Sequence, residues 1–284
     1  MTTLVCQQNK PLWILERAKK STPIPFRDSL VSLEQALVNA GIPYEFAHRP
    51  LMEQYTVISD HARSYEGPVI VYGSLHFIRD IKGVAFYPGA FGYMGTDYFN
   101  VISHVPREWL VNSDFNITTF GEFKRNFEYW FRILGTEELF VRPVSDKKIF
   151  SGDTIDLDSV RNNESLFHYN EVAPETPIIV ARYQMIENEY RYVICDRKVV
   201  ARSNSIYLFK LNENEIEECD AFAEKVAALD WQPDTCYVVD IGYTLNGAAI
   251  VEYNSFCSAG LYGANAEKIV EALSNKAIQL YYEV

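Results

Sequence analysis

CYVVDIGYTLNGAAIVEYNS, Cys236 to Ser255, reads as two apolar strands joined at an Asn-Gly turn. Asp240, Glu252 and Asn254 interrupt it. Side chains alternate faces along a strand, so Val238 shares a face with Asp240, and Ile250 shares one with Glu252 and Asn254. The turn decides whether the two polar sets meet. A two-residue turn at Asn246-Gly247 sets Asp240 opposite Tyr253 and scatters the polar groups over both faces. A three-residue loop, Leu245 to Gly247, sets Asp240 opposite Glu252, and Gly247 then stands where such a loop commonly takes a Gly at positive φ. Two neighbouring carboxylates are costly unless a cation lies between them, and oxygen donors of this kind suit Mg²⁺. The plainer alternative is a solvent-facing strand with hydrated carboxylates. The expected register is the one that gathers Asp240, Glu252 and Asn254 as metal ligands beside a phosphate site.

Upstream, LFVRPVSDKKIFSGD (Leu139 to Asp153) ends an apolar strand on Arg142 and continues through Lys147, Lys148, Phe150 and Gly152. A cation on a strand end, two more on a loop and a Gly that permits close backbone approach make a phosphate cradle. Phe150 reads as the anchor of a loop able to close. The alternative is an ordinary surface turn, and no Walker loop is present. Between the two stretches lies IIVARYQMIENEYRYVICDRKVVARS, in which Glu189 and Arg191 share a strand face. They read either as a surface ion pair or as a carboxylate for sugar hydroxyls beside a guanidinium for an acyl phosphate.

The remaining chain bounds the answer. Its 284 residues are 48% hydrophobic and 23% charged, enough for one large or two interlocked domains. The net charge of -12 repels polyanions, so nucleic acid is not an expected partner. No apolar segment suggests a signal peptide or membrane span, and a cytoplasmic protein is expected. The five cysteines are odd in number and lack a Cys-x-x-Cys pair, which fits reduced structural thiols. The five histidines are scattered, against a zinc site. Ser29 to Phe46 and Thr119 to Gly135 have helical spacing, Gly67 to Ser74 looks like a buried strand, and the segment around Gly83 to Val101 reads as irregular. Strand runs follow, then helices over Glu218 to Trp231 and near the C-terminal end. The pattern is α+β.

The order of these features resembles the ATP-grasp superfamily, and within it the clade in which Arg replaces the first phosphate-binding lysine. The residues that carry the resemblance are Arg142-Pro143, Lys148-Ile149-Phe150-Ser151-Gly152, EYRYVICDRKVVARS, and VVDIG followed by VEYNSFCSAGLYGAN. They cover roughly the last three fifths of the chain. The resemblance implies a small α/β domain over 1–115 and an ATP-grasp domain over 116–284, with a lid-like part at about 116–180 and a metal-binding part at about 181–284. It implies ATP held by Arg142, Lys147, Lys148 and Gly152, an adenine hinge at Ala181, Arg182 and Tyr183, and Glu189 on the ribose. It also implies Mg²⁺ on Asp240, Glu252 and Asn254. The family often carries an Arg two residues before the first metal carboxylate; here Val238 stands there. Arg191, Arg202 or Lys148 would then stabilise the transferring phosphoryl group. The implied activity joins a small-molecule or peptide carboxylate to an amine through an acyl phosphate. A kinase acting on a hydroxyl, or a nucleotide-binding regulator without turnover, are the other classes, and a homodimer is left open.

Overall fold

The computed structural model describes residues 10–19, 21–47, 56–81, 84–93, 95–145, 149–161, 172–204, 206 and 213–283. A leading parallel sheet comes first, built from β1 (Leu12–Glu16), β2 (Tyr44–Ala47), β3 (Val69–Tyr72) and β4 (Pro88–Gly89) in the order β2-β1-β3-β4. LWILE and VIVY are continuous apolar runs because both sheet faces are covered. Helix α1 (Ile24–Ala40) buries Leu30, Leu33 and Leu37 and stops at Gly41, whose φ of 60° closes the helix end. Helices α2 (Asp60–Arg63) and α3 (Leu75–Ile81) complete the unit, and α4 (Tyr98–His104) follows, with Tyr98 and Val101 buried in the core of the third sheet.

The second unit is an antiparallel sheet of β5 (Phe115–Thr119), β6 (Glu138–Pro143), β7 (Asp153–Asp156) and β8 (Pro177–Arg182), in the order β5-β8-β6-β7. The single helix expected over Thr119 to Gly135 is two, α5 (Phe120–Arg125) and α6 (Phe127–Leu134). Asn126 breaks it at φ -128° and ψ 35°. Both helices still drive their aromatic residues, Phe120, Phe123, Trp130 and Phe131, into one core with Leu139, Val141 and Phe150. Helix α7 (Leu157–Arg161) follows β7.

The third sheet joins β9 (Ile186–Cys195), β10 (Lys198–Arg202), β11 (Cys236–Thr244) and β12 (Gly247–Ser255) in the order β10-β9-β11-β12. Its two faces have separate fates. Tyr192, Ile194, Tyr237, Val239 and Ile241 pack on α8 (Glu213–Ala227). Val193 and Val238 pack with α9 (Ala266–Tyr282) and with Trp13, Leu33 and Tyr72 of the leading unit. Polar pins cross this seam: Trp13 Nε1 donates to Ser274 Oγ at 3.0 Å, and Leu261 N donates to Ser29 Oγ at 2.7 Å. The leading sheet and the third sheet therefore share one core, while the second sheet has a core of its own on one face and gives Ile179 and Ala181 of β8 to the core under α8 on the other.

One expectation is corrected here. Cys195 and Cys236 face each other across β9 and β11 with Cα atoms 4.1 Å apart and form a disulfide, so not all the thiols are reduced. That spacing belongs to a cross-strand pair that exchanges no backbone hydrogen bonds. Cys219 and Cys257 are free and buried, and Cys6 lies outside the described residues.

Candidate functional site

The face of the third sheet that carries Val193 and Val238 runs out from under the leading unit and becomes a cleft wall. Along it Arg191 pairs with Asp240 and Glu189 with Gly242 on neighbouring strands. Asp240 also pairs with Glu252 on β12, but by a different route from the expected three-residue loop. Thr244 pairs with Gly247 around a two-residue turn, Leu245-Asn246, and Ile241 pairs with Ile250. That register alone would set Asp240 opposite Val251 and turn Glu252 into the apolar face under α8. A β-bulge at Val251 inserts one unpaired residue and restores Asp240 to Glu252. It also separates Ile250 from Glu252: Ile250 joins the core under α8, whereas Glu252 and Asn254 line the cleft.

The charged groups meet at close range. Arg191 Nε donates to Asp240 Oδ1 at 2.7 Å and its Nη2 to Oδ2 at 2.6 Å. Its Nη1 donates to the Gly260 carbonyl at 2.9 Å, and its Cζ sits 4.8 Å from the centre of the Tyr262 ring. Burial alone would depress the guanidinium, but the charge and hydrogen bonds of Asp240 hold it above its ordinary pKa. Asn254 Nδ2 bridges the carboxylates, donating to Asp240 Oδ2 at 3.0 Å and to Glu252 Oε1 at 2.9 Å. From the second sheet, Arg142 Nη2 donates to Glu252 Oε2 at 3.1 Å, with its Cζ 5.5 Å from the ring centre of Tyr98. Two guanidinium groups thus face two carboxylates.

Two cavities meet here. One, of ≈ 810 Å³, lies along the β8–β9 connection and is lined by Tyr183, Gln184, Met185, Glu187 and Asn188, with Asn112 opposite. The other, of ≈ 520 Å³, is lined by Gly152, Arg191, Glu252, Asn254 and Tyr262 and reaches Phe26 and Leu75 of the leading unit. Phe140, Arg142, Glu189 and Val251 line both. Gly152 lies against the Phe140 ring, where a Cβ would come within 2.6 Å of Cζ. Phe150 is buried in the core of the second sheet beside Phe120.

The predicted residues divide accordingly. Arg142, Gly152, Tyr183, Glu189, Arg191, Glu252 and Asn254 line the joined cavities. Lys147 and Lys148 lie outside the described residues. Ala181 points into the interior and is fully buried, and Arg182 donates to the Leu134 carbonyl at 2.6 Å, so of the expected hinge only Tyr183 reaches the cavity. Arg202 is on the opposite face. A second bulge, between Val199 and Ala201, pairs it with Tyr192, and it forms an ion pair with Asp220 of α8 at 3.0 Å. Asp240 lies behind the cavity wall. It is 1% exposed, does not line the cavity, and has both oxygens engaged by Arg191. Of the expected three-residue metal set, Glu252 and Asn254 line the cavity. Among the described residues no three His, Cys, Asp or Glu side chains cluster as a metal site. Tyr98 and Tyr262 went unread in the sequence. Tyr98 lines the cavity with a buried hydroxyl that has no hydrogen-bond partner among the described residues, and burial pushes its pKa up to about 12 against the pull of Arg142 and Arg107. Tyr262 adopts a φ of 47°, and the Gly residues at 260 and 263 were the signal of an irregular loop there.

A family model for an ATP-grasp domain, family 2 of the clade named for arginine in place of lysine, matches residues 128–272. The chain belongs to this ATP-grasp family. Its fold is shared with distant solved structures. The D-cycloserine synthetase DcsG superposes with a TM-score of 0.60 at 14% identity, over 94% of this chain and 99% of that one. D-alanine–D-alanine ligase from Bacillus anthracis complexed with ATP gives 0.57 at 13%, over 95% and 99%. The macrocyclase MdnC from Microcystis aeruginosa, bound with its precursor peptide, gives 0.54 at 12%, over 93% and 99%. No curated protein matches. The joined cavities lie between the second and third sheets, and among the described residues no helix is long and apolar enough to cross a membrane.

Proposed function

We propose that this ATP-grasp chain is an ATP-dependent ligase that joins a carboxylate to an amine. The observation that carries the reading is the shared wall of the two cavities, with Arg142 and Glu189 at the junction. Among the described residues the larger cavity holds Glu187, Glu189 and Glu215 against the single cation Arg142, so it accepts a nucleoside and repels phosphates. The base lies along Tyr183 to Met185, Glu189 accepts from the ribose hydroxyls, and the phosphates pass Arg142 into the smaller cavity. There Arg191 faces the group being transferred. Glu252 and Asn254 are the described residues that suit Mg²⁺, which would neutralise phosphate charge and complete its shell with phosphate oxygens.

The substrate carboxylate oxygen attacks the γ-phosphorus, and ADP leaves with the bridging electron pair. The amine then attacks the acyl carbon, and inorganic phosphate departs as the amide forms. The acyl phosphate hydrolyses in water, so residues 116–180 act as a lid over residues 181–284. The names of the distant relatives, a synthetase, a ligase and a macrocyclase, support amide-forming chemistry over phosphorylation of a hydroxyl. ADP release screened against mixed amino acids, peptides and carboxylates, with mass spectrometry of the products, tests the reading. An amide with stoichiometric inorganic phosphate is expected. A phosphoester, or nucleotide binding with no ADP under any mixture, overturns it.

A further inference from the structure

The pairing of Arg191 with Asp240 bears on how many cations the cleft takes. We infer that Arg191, held by Asp240, stands in the place of one divalent cation, so that the cleft takes a single metal ion on Glu252 and Asn254. The inference rests on the nucleotide-binding reading above. A carboxylate that serves a metal must present an oxygen to the ligand, yet Asp240 is 1% exposed, and Arg191, not Asp240, lines the cavity. Asp240 accepts from Arg191 through both oxygens, and Oδ2 accepts from Asn254 as well. A dication brought to Asp240 would lie against a buried guanidinium of the same sign, or would strand that guanidinium without its partner.

The guanidinium is fixed on every side. Asp240 takes two of its N–H groups, the Gly260 carbonyl a third, and the Tyr262 ring covers its face. Arginine has five N–H donors, so among the described residues two are left for the cavity it lines. These suit phosphoryl oxygens, and their orientation is set before any ligand arrives. Asp240 is thus a positioning residue that acts through Arg191. Glu252 is placed differently. It meets Arg142 across the gap between two sheets at 3.1 Å and lines the cavity. Asn254 turns its Nδ2 to both carboxylates, which directs its Oδ1, the atom a hard cation prefers, away from them.

Binding of Mn²⁺ to the full chain with β,γ-methylene-ATP, followed by electron paramagnetic resonance, tests this without turnover. One Mn²⁺ per chain is expected. With β,γ-methylene-ATP held saturating for every variant, Glu252→Gln should weaken Mn²⁺ about tenfold or more, the loss of one charged contact, whereas Asp240→Asn should weaken the nucleotide and leave the Mn²⁺ affinity of the nucleotide-loaded chain within about twofold. Because Asp240→Asn strands a buried arginine and could unfold, the paired change Asp240→Asn with Arg191→Gln is measured beside it, and each variant is checked by thermal melting. Two Mn²⁺ per wild-type chain, or loss of Mn²⁺ from a folded Asp240 variant, overturns the inference while leaving the ligase reading intact. A chain that binds no nucleotide overturns both.

Discussion

At Arg142 one side chain has Glu252 as its partner in the structure and a phosphate as its partner in the proposed function. Without nucleotide it is tied to Glu252 by a single contact of 3.1 Å, with both side chains partly open to solvent at 20% and 27%. Such a pair contributes little to stability, so it yields readily to a phosphate. A charge-assisted bond of this kind is worth about 1.5–3 kcal/mol, so Arg142→Ala is expected to weaken ATP about tenfold or more while the melting temperature barely moves. Calorimetry with unchanged affinity would remove Arg142 from the phosphate site. Gly242 is the steric counterpart. A Cβ there would lie 2.9 Å from Ile186 Cγ2 and 3.0 Å from Val251 Cγ2, both on stiff β-branched side chains. Overpacking of this kind costs about 1–3 kcal/mol, so Gly242→Ala should lower the urea midpoint. An unchanged midpoint would mean that the two methyls can move apart.

The elements explain what sequence could and could not reveal. Residue types and their order exposed Arg142, Glu189, Arg191, Glu252 and Asn254, because charges interrupting apolar strands stand out. Their facing depends on pairing, and two bulges reset it. Without the bulge between Val199 and Ala201, Arg202 would lie opposite Arg191, like charge against like; with it, Arg202 turns to Asp220. Neither bulge carries a glycine or any other marker in the sequence, so alternation assigned Ile250 to the wrong face, and the resemblance alone had brought Arg202 to the site. The burial of Asp240 behind Arg191 is likewise a tertiary fact, set by a strand neighbour 49 residues away. Deleting Val251 makes a sharp test of the hairpin. Ile241 would still pair with Ile250 and Asp240 with Glu252, now in regular alternation. The shortened chain should stay folded, with a cooperative melt, yet bind ATP more weakly because one wall residue common to both cavities is gone. A chain that fails to fold would show that the bulge's twist, and not its side chain, is what the sheet needs.

Across the whole molecule, the buried side chains fall into four clusters, and one face of the second sheet stands apart from the rest. The second sheet holds its own cluster around Phe120, Phe123 and Phe150, while the leading and third sheets are fused through Trp13, Val238 and Leu273. Native-state hydrogen exchange should therefore show β6 and β8 opening together, at a lower free energy than β1 and β11. Identical opening energies would make the lid part of the same cooperative unit. Alkali should act on the buried acids. Burial pushes Cys219 and Cys257 up to about 12 from 9.0, so the unfolded chain loses these protons first. Their contribution is fully present below about pH 9 and falls as pH rises towards 12. The melting temperature should drop over that window, and both thiols should resist alkylation of the folded protein near pH 8. Rapid modification of either would contradict their burial.

The bond from Trp13 to Ser274 spans 261 residues. During synthesis, then, β1 leaves the ribosome long before α9, and the face that carries Trp13 and Leu15 lacks that part of its cover until α9 follows. A nascent chain arrested before Ala266 would carry α1 with Leu30, Leu33 and Leu37 lacking much of their packing surface. Loop closure over such a separation is slow to be repaid, and apolar surface exposed meanwhile invites association. Chaperone engagement of the growing chain is an expected consequence of that separation. A circular permutant that places α9 ahead of β1 should shorten it.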